Sequence, residues 1–268
     1  MLYVETNSII RLSYKEAGQG RPLVLIPGWT TSSSWWQKQV PVLSKHYRVI
    51  TVDPRGNGHS EKTLKGQRLS RHAHDIHDLL EHLNLMNVTL VGWSVGASVL
   101  FSYLDLFGAS RLRNVVFVDM TPRIISNEEW KYGQAGGSFT LNDLSPLLMG
   151  LAADQSNFTL GFLHACFYQQ PSQQELNWML ADMLQTPTRA AIALLTEHSI
   201  QDWRDVLPAI QLPVLVIAGK HSPFPYQSGA YIAEHVGNGQ FLLFEESGHC
   251  PFYEQSEKFN DALITFAK

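Results

Sequence analysis

Asn87-Val88-Thr89-Leu90-Val91-Gly92-Trp93-Ser94-Val95-Gly96-Ala97-Ser98 is the stretch on which the fold turns. It begins as an apolar, β-type run and ends in small residues able to open a helix. Between the two lies Gly92-x-Ser94-x-Gly96. A serine on a sharp strand-to-helix turn needs small neighbours, because a side chain at either glycine would meet the adjacent strand or helix. This is the nucleophile-elbow pattern. Such a turn lifts Ser94 Oγ out of the sheet and sets it at a helix N-terminus whose free N–H groups suit an anion. At ordinary glycine and serine frequencies the pattern arises by chance about 0.1 times in a chain this long, so its strand-and-helix setting makes it a signal.

Working outward, the same alternation recurs on both sides. Pro22-Leu23-Val24-Leu25-Ile26-Pro27 and Tyr47-Arg48-Val49-Ile50-Thr51-Val52 are short apolar runs of the kind buried on both faces of a sheet. The first ends at Pro27-Gly28-Trp29; the second runs into the tight loop Asp53-Pro54-Arg55-Gly56-Asn57-Gly58-His59-Ser60. Residues 2–15 alternate in a strand-like way. Helices are expected over Trp35–Leu43, over 69–83, where Ile76, Leu79, Leu80 and Leu83 fall at helical spacing, and from the elbow to about Phe107. Asn114–Val118 is a further strand, with Asp119 at its C-terminal end. The pattern then changes to helices near 141–152, 155–168, 172–185 and 188–199. Strand-and-helix alternation resumes at Pro213–Gly219, a helix near 226–236, the strand Gln240–Phe244, Ser247-Gly248-His249-Cys250-Pro251, and a helix from about 254. Repeated βα units predict a doubly wound α/β fold with a mostly parallel sheet. Residues 1–120 and 202–268 form the core, and 121–201 an inserted helical lid. In such folds chemistry gathers at the C-terminal strand ends, where Trp29, Ser94, Asp119 and His249 all fall.

Composition narrows the function. The chain has 268 residues, is 44% hydrophobic and carries a formal net charge of −4 with 16% charged residues. That is enough for one large core, and the lack of a basic excess argues against a nucleic-acid or anionic-membrane partner. The two cysteines, Cys166 and Cys250, form neither a metal motif nor a disulfide framework. The N-terminus lacks signal-peptide features, and no apolar run reaches the roughly 18 residues a membrane helix needs. A cytoplasmic protein acting on a small-molecule substrate is expected, with monomer and homo-oligomer equally compatible.

Pro27-Gly28-Trp29, the 53–60 loop, the elbow and Gly248-His249-Cys250-Pro251-Phe252 together carry a resemblance to the α/β-hydrolase superfamily over essentially the whole length. The chain looks most like the small bacterial esterase, lactonase and cofactor-free haloperoxidase-like branch. The resemblance implies Ser94 as nucleophile, His249 as general base and acid, and no metal or other cofactor. Serine needs a base because its hydroxyl is a poor nucleophile near neutrality, and histidine's pKa suits the task. The backbone N–H groups of Val95 and Trp29 would form the oxyanion hole. Many relatives carry His-Gly where this chain has Pro27-Gly28, a change that leaves backbone donors intact.

The triad acid is the departure. Most relatives have Gly-x-x-Asp after the strand ending here at Gly219; this chain reads Gly219-Lys220-His221-Ser222, with no acid before Tyr231. Some branches place the acid after the earlier strand, so Asp119 takes the role and the order Ser94, Asp119, His249 is kept. Glu245 and Glu246 are the alternatives, and Asp119 as a turn cap is its bland reading. Trp93, Trp36, Phe252, Phe224 and Phe139 are expected around the substrate pocket. His72, His74 and His77 read as a solvated helix face, Asp53 and Arg55 as loop architecture, and His59 and His221 as loop bystanders.

Three functions compete. A serine hydrolase would cleave a carboxylic ester or lactone with an apolar or aromatic part through an acyl-enzyme. A cofactor-free dioxygenase on the same fold would use the His–Asp pair to deprotonate an aromatic heterocycle. Against it, Thr30-Thr31 lacks the extra histidine of that branch, and Val95 replaces the histidine beside its serine. A non-catalytic receptor is the third.

Overall fold

The apolar runs pair into one eight-stranded sheet. A computed structural model describes all 268 residues. In chain order the elements are β1 (Leu2–Glu5), β2 (Arg11–Ala17), β3 (Pro22–Ile26), α1 (Val40–Leu43), β4 (Arg48–Asp53), α2 (Leu69–His82), β5 (Val88–Trp93) and α3 (Val95–Phe107). There follow β6 (Leu112–Val118), the single turn α4 (Gln134–Gly137), α5 (Leu141–Ala153), α6 (Gln155–Cys166), α7 (Gln173–Met183) and α8 (Thr188–Ser199). The chain ends with β7 (Pro213–Gly219), α9 (Tyr226–His235), β8 (Asn238–Phe244), α10 (Pro251–Glu254) and α11 (Ser256–Phe266).

The strand order is β1-β2-β4-β3-β5-β6-β7-β8. β1 and β2 pair antiparallel at one edge, and β3 to β8 run parallel. Val, Ile and Leu dominate the central strands because both faces are covered; every residue of β5 is buried. From β3 the chain steps to β4 on one side and then to β5 on the other. The C-terminal ends of β3 and β5 thus flank a topological switch point, where parallel sheets open a crevice. Register completes the arrangement: Ile26 pairs with Gly92 and Trp93 with Val118. The loops after β3, β5 and β6 emerge side by side.

Five helical segments, α4 to α8, lie between β6 and β7. The ends of this insertion are pinned together by the antiparallel bridge Arg123–Asp202 and by Trp203 N–H donating to Pro122 O at 2.9 Å. Its spans agree with the helical periodicity at 141–199. One expected helix differs. Trp35–Leu43 divides into a 3-10 turn at Ser33–Trp36 and the short α1, because Pro41 lacks a donor and suits only a first helical turn. The terminal helix expected from about 254 is α11, and Gln255, with φ −120° and ψ 55°, separates it from the extra turn α10.

The solvated histidine face is also corrected. His72 is buried, with its Nε2 3.2 Å from Gln67 Oε1, and His77 stacks on Phe107 at 4.0 Å. Burial, aided by the Arg55 guanidinium, lowers the His72 pKa to about 3, so its ring is neutral. Arg55 and Asp53 are architectural as read. Arg55 forms a buried two-pronged pair with Asp75, and Asp53 accepts from the backbone N–H of Ser33 and His59 at 2.7 and 2.8 Å.

Candidate active site

The elbow is strained as its sequence requires. Ser94 has φ 55° and ψ −123°, a left-handed conformation that costs energy for any residue with a Cβ. Its neighbours must be glycine. A Cβ on Gly92 would come within 2.4 Å of Gly96 O, and one on Gly96 within 2.4 Å of Ile26 O. The turn is held by Ser94 N–H donating to Val118 O at 3.0 Å. Val95 occupies the first position of α3, so its N–H has no intrahelical acceptor.

Asp119 continues β6 beyond its last paired residue and also has positive φ, 48°. Its N–H donates to Ile217 O at 2.7 Å, fixing the backbone against β7. Asp119 Oδ1 accepts from Gly219 N–H at 2.7 Å. Oδ2 accepts from Ser222 Oγ at 2.5 Å and from His249 Nδ1 at 2.5 Å. Ser222, where the resemblance led to the expectation of an acid, thus braces Asp119 from the preceding strand. Asp119 and His249 side chains are each only 1% exposed, so water does not compete for this pairing.

His249 is anchored by its own backbone. Its N–H donates to Cys166 O at 2.7 Å, and its O accepts from Trp93 Nε1 at 2.7 Å. The Nδ1–carboxylate bond fixes the ring and leaves Nε2, which has no hydrogen-bond partner, as the outward nitrogen. Glu245 plays no part: it pairs with Lys220 on the surface at 2.5 Å. Glu246, His59 and His221 are exposed, and His221 stacks on Tyr168.

Ser94, His249, Val95 and Trp29 line one cavity with Phe224. Trp29 sits in the Gly28 loop, its Nε1 donating to Ala191 O of α8 at 3.0 Å. Its ring meets Phe158 and Phe162 of α6 edge-on, at 6.1 and 5.6 Å. The opposite wall includes Leu147 of α5, with Leu195 and His198 of α8.

Of the five aromatic residues expected around the pocket, Phe224 alone lines it. Trp93 turns into the core, stacked on Trp35 at 5.1 Å. Trp36 and Phe252 pack on each other at 4.6 Å, both fully buried. Phe139 is buried outside the cavity lining. For Trp93, the last residue of β5, adjacency to Ser94 misled, because successive side chains along a strand point to opposite faces. The residues missed are Phe158, Phe162, Leu195, His198, Leu147 and Gln134. Phe158/Phe162 and Leu195/His198 are i, i+4 and i, i+3 pairs on helices, so facing stripes were the available signal.

Strand order, strained elbow, buried His–carboxylate pair and cavity define an α/β hydrolase. The family model for the alpha/beta hydrolase fold matches residues 21–256, and the chain belongs to that family. It is 30% identical to the non-heme chloroperoxidase CPO-A1 of Kitasatospora aureofaciens, with 97% of each chain covered. It is 28% identical to the pimeloyl-[acyl-carrier protein] methyl ester esterase of Vibrio cholerae, covering 96% of this chain and 98% of that one. An esterase from Exiguobacterium antarcticum superposes with a TM-score of 0.93 at 25% identity, covering 99% of this chain and 98% of that structure.

Proposed function

We propose that the protein is a serine hydrolase of carboxylic esters or lactones. Ser94 Oγ attacks the carbonyl carbon while His249 Nε2 takes its proton. The N–H groups of Trp29 and Val95 stabilise the oxyanion, and the Asp119 carboxylate stabilises the imidazolium. His249 returns the proton to the leaving alkoxide, leaving an acyl-serine. Water, deprotonated by the same histidine, then releases the acid and restores Ser94. The observation that carries this reading is the buried 2.5 Å contact between His249 Nδ1 and Asp119, with Nε2 unpartnered beside the elbow serine's cavity. Relatives named as esterases support it.

The cavity favours a small, mostly apolar substrate, since seven of its eleven lining residues are hydrophobic. Helices α5, α6 and α8 serve as a lid that sets its size and excludes water. Ser94→Ala lowers kcat for p-nitrophenyl butyrate by about 10⁴-fold or more with the fold intact by circular dichroism. Undiminished turnover contradicts the reading.

A further inference from the structure

His198 has no role in the mechanism above, yet it lines the same cavity as Ser94 and His249. It lies in the last turn of α8 and is 6% exposed. Its Nδ1 is buried and has no hydrogen-bond partner in the protein. Buried polar atoms are nearly always paired, so an imidazole that lines the cavity with a ring nitrogen unpaired keeps hydrogen-bonding capacity that the protein does not use. Packing alone does not call for an imidazole here: Leu194 and Leu195, one turn back on the helix, fill their places with hydrocarbon.

Charge limits what can bind. Burial and the neighbouring His249 lower the His198 pKa to about 4, so the ring is neutral, with one N–H and one lone pair. No Lys, Arg, Asp or Glu lines the cavity, and besides Ser94 and His249 the polar side chains on its wall are His198 and Gln134. A carboxylate or ammonium substituent would be desolvated there without a counter-charge. A hydroxyl or keto group would be matched.

We propose that His198 is a specificity-determining residue that hydrogen-bonds a neutral hydroxyl or keto group on the substrate, close to the scissile ester. The proposal rests on the hydrolase reading and names its substrate class: small oxygenated esters or lactones rather than plain alkyl or charged ones. An imidazole buried for this purpose discriminates against the analogue lacking the oxygen, because binding that analogue leaves the nitrogen unpaired.

The test compares kcat/KM on two matched pairs for wild type, His198→Leu and His198→Asn. The pairs are p-nitrophenyl butyrate with its 3-hydroxybutyrate, and ethyl butyrate with 2-hydroxyethyl butyrate, which probe the acyl and alcohol sides. Wild type is expected to favour the hydroxylated member of one pair by about tenfold. His198→Leu erases that ratio, and His198→Asn, which keeps a hydrogen-bonding side chain, restores part of it. The ratio is the readout, so a general loss of activity from altered packing does not imitate the effect. Turnover of both pairs with ratios within twofold between wild type and both variants overturns the proposal and leaves the hydrolase reading standing. Failure of the wild type to hydrolyse any of the four esters overturns both.

Discussion

Ser222 stands where the resemblance led to the expectation of an acid, and its hydroxyl donates to Asp119 Oδ2 at 2.5 Å. Ser222 and the Gly219 N–H together fix the direction of the Asp119 side chain, which the proposed mechanism uses to orient His249. Asp119→Asn puts an amide where His249 needs an acceptor, favours the wrong tautomer and lowers kcat/KM by about 10³–10⁴-fold. Ser222→Ala removes one neutral hydrogen bond and lowers it only about five- to tenfold. Steady-state kinetics of both variants on one ester check the ranking; equal losses would contradict it. Asp119 entered as a candidate through the resemblance, because no acid stands between Gly219 and Tyr231 and some branches place it after the earlier strand. Its brace was not legible in the sequence, because a hydrogen bond between residues 103 positions apart leaves no local pattern. The dioxygenase alternative needs the His249–Asp119 pair but not the serine, so Ser94→Ala separates it from the hydrolase.

Between elements, the inserted helices are fastened to the core by polar contacts as well as apolar ones. Asp182 of α7 accepts from Ser32 N–H at 3.0 Å, Ser32 Oγ at 2.6 Å and Trp35 Nε1 at 3.1 Å. Burial raises the Asp182 pKa, and these three donors oppose that shift. Thr186 Oγ donates to Asn57 Oδ1 at 2.9 Å, and Trp29 reaches Ala191 O of α8. Every one of these ties ends on the loops after β3 and β4, so the helices between β6 and β7 and the Gly28–Trp29 loop hold each other in place. Asp182→Ala leaves three donors without their acceptor at a buried junction. It is expected to cost about 2–4 kcal/mol, lowering the thermal unfolding midpoint by roughly 4–8 °C. Calorimetry checks this, and an unchanged midpoint would show the tie to be incidental. The spans of α5 to α8 could be read from helical spacing. Their docking could not, because Asp182 meets Ser32 across 150 positions.

At the scale of the whole molecule, the sheet explains why scattered residues converge. Six parallel strands present their C-terminal ends on one edge, and the β3/β5 switch point sets Trp29 beside Ser94. The strand–helix alternation was therefore enough to place Ser94, Asp119, His249 and Trp29 on one rim. What alternation does not encode is which way each side chain faces, and Trp36, Trp93 and Phe252 went to the core for that reason. It also does not encode how much of an outer helix is buried, which is how His72 came to lie on the buried face of α2. The central claim is that Ser94 is activated by His249 within this architecture. The most direct test is intact-mass and peptide mass spectrometry after treatment with a fluorophosphonate, which adds covalently only to an activated serine. The account predicts a single adduct on the peptide containing Ser94, abolished in His249→Ala. No adduct, or one on another residue with Ser94 unmodified, would contradict it.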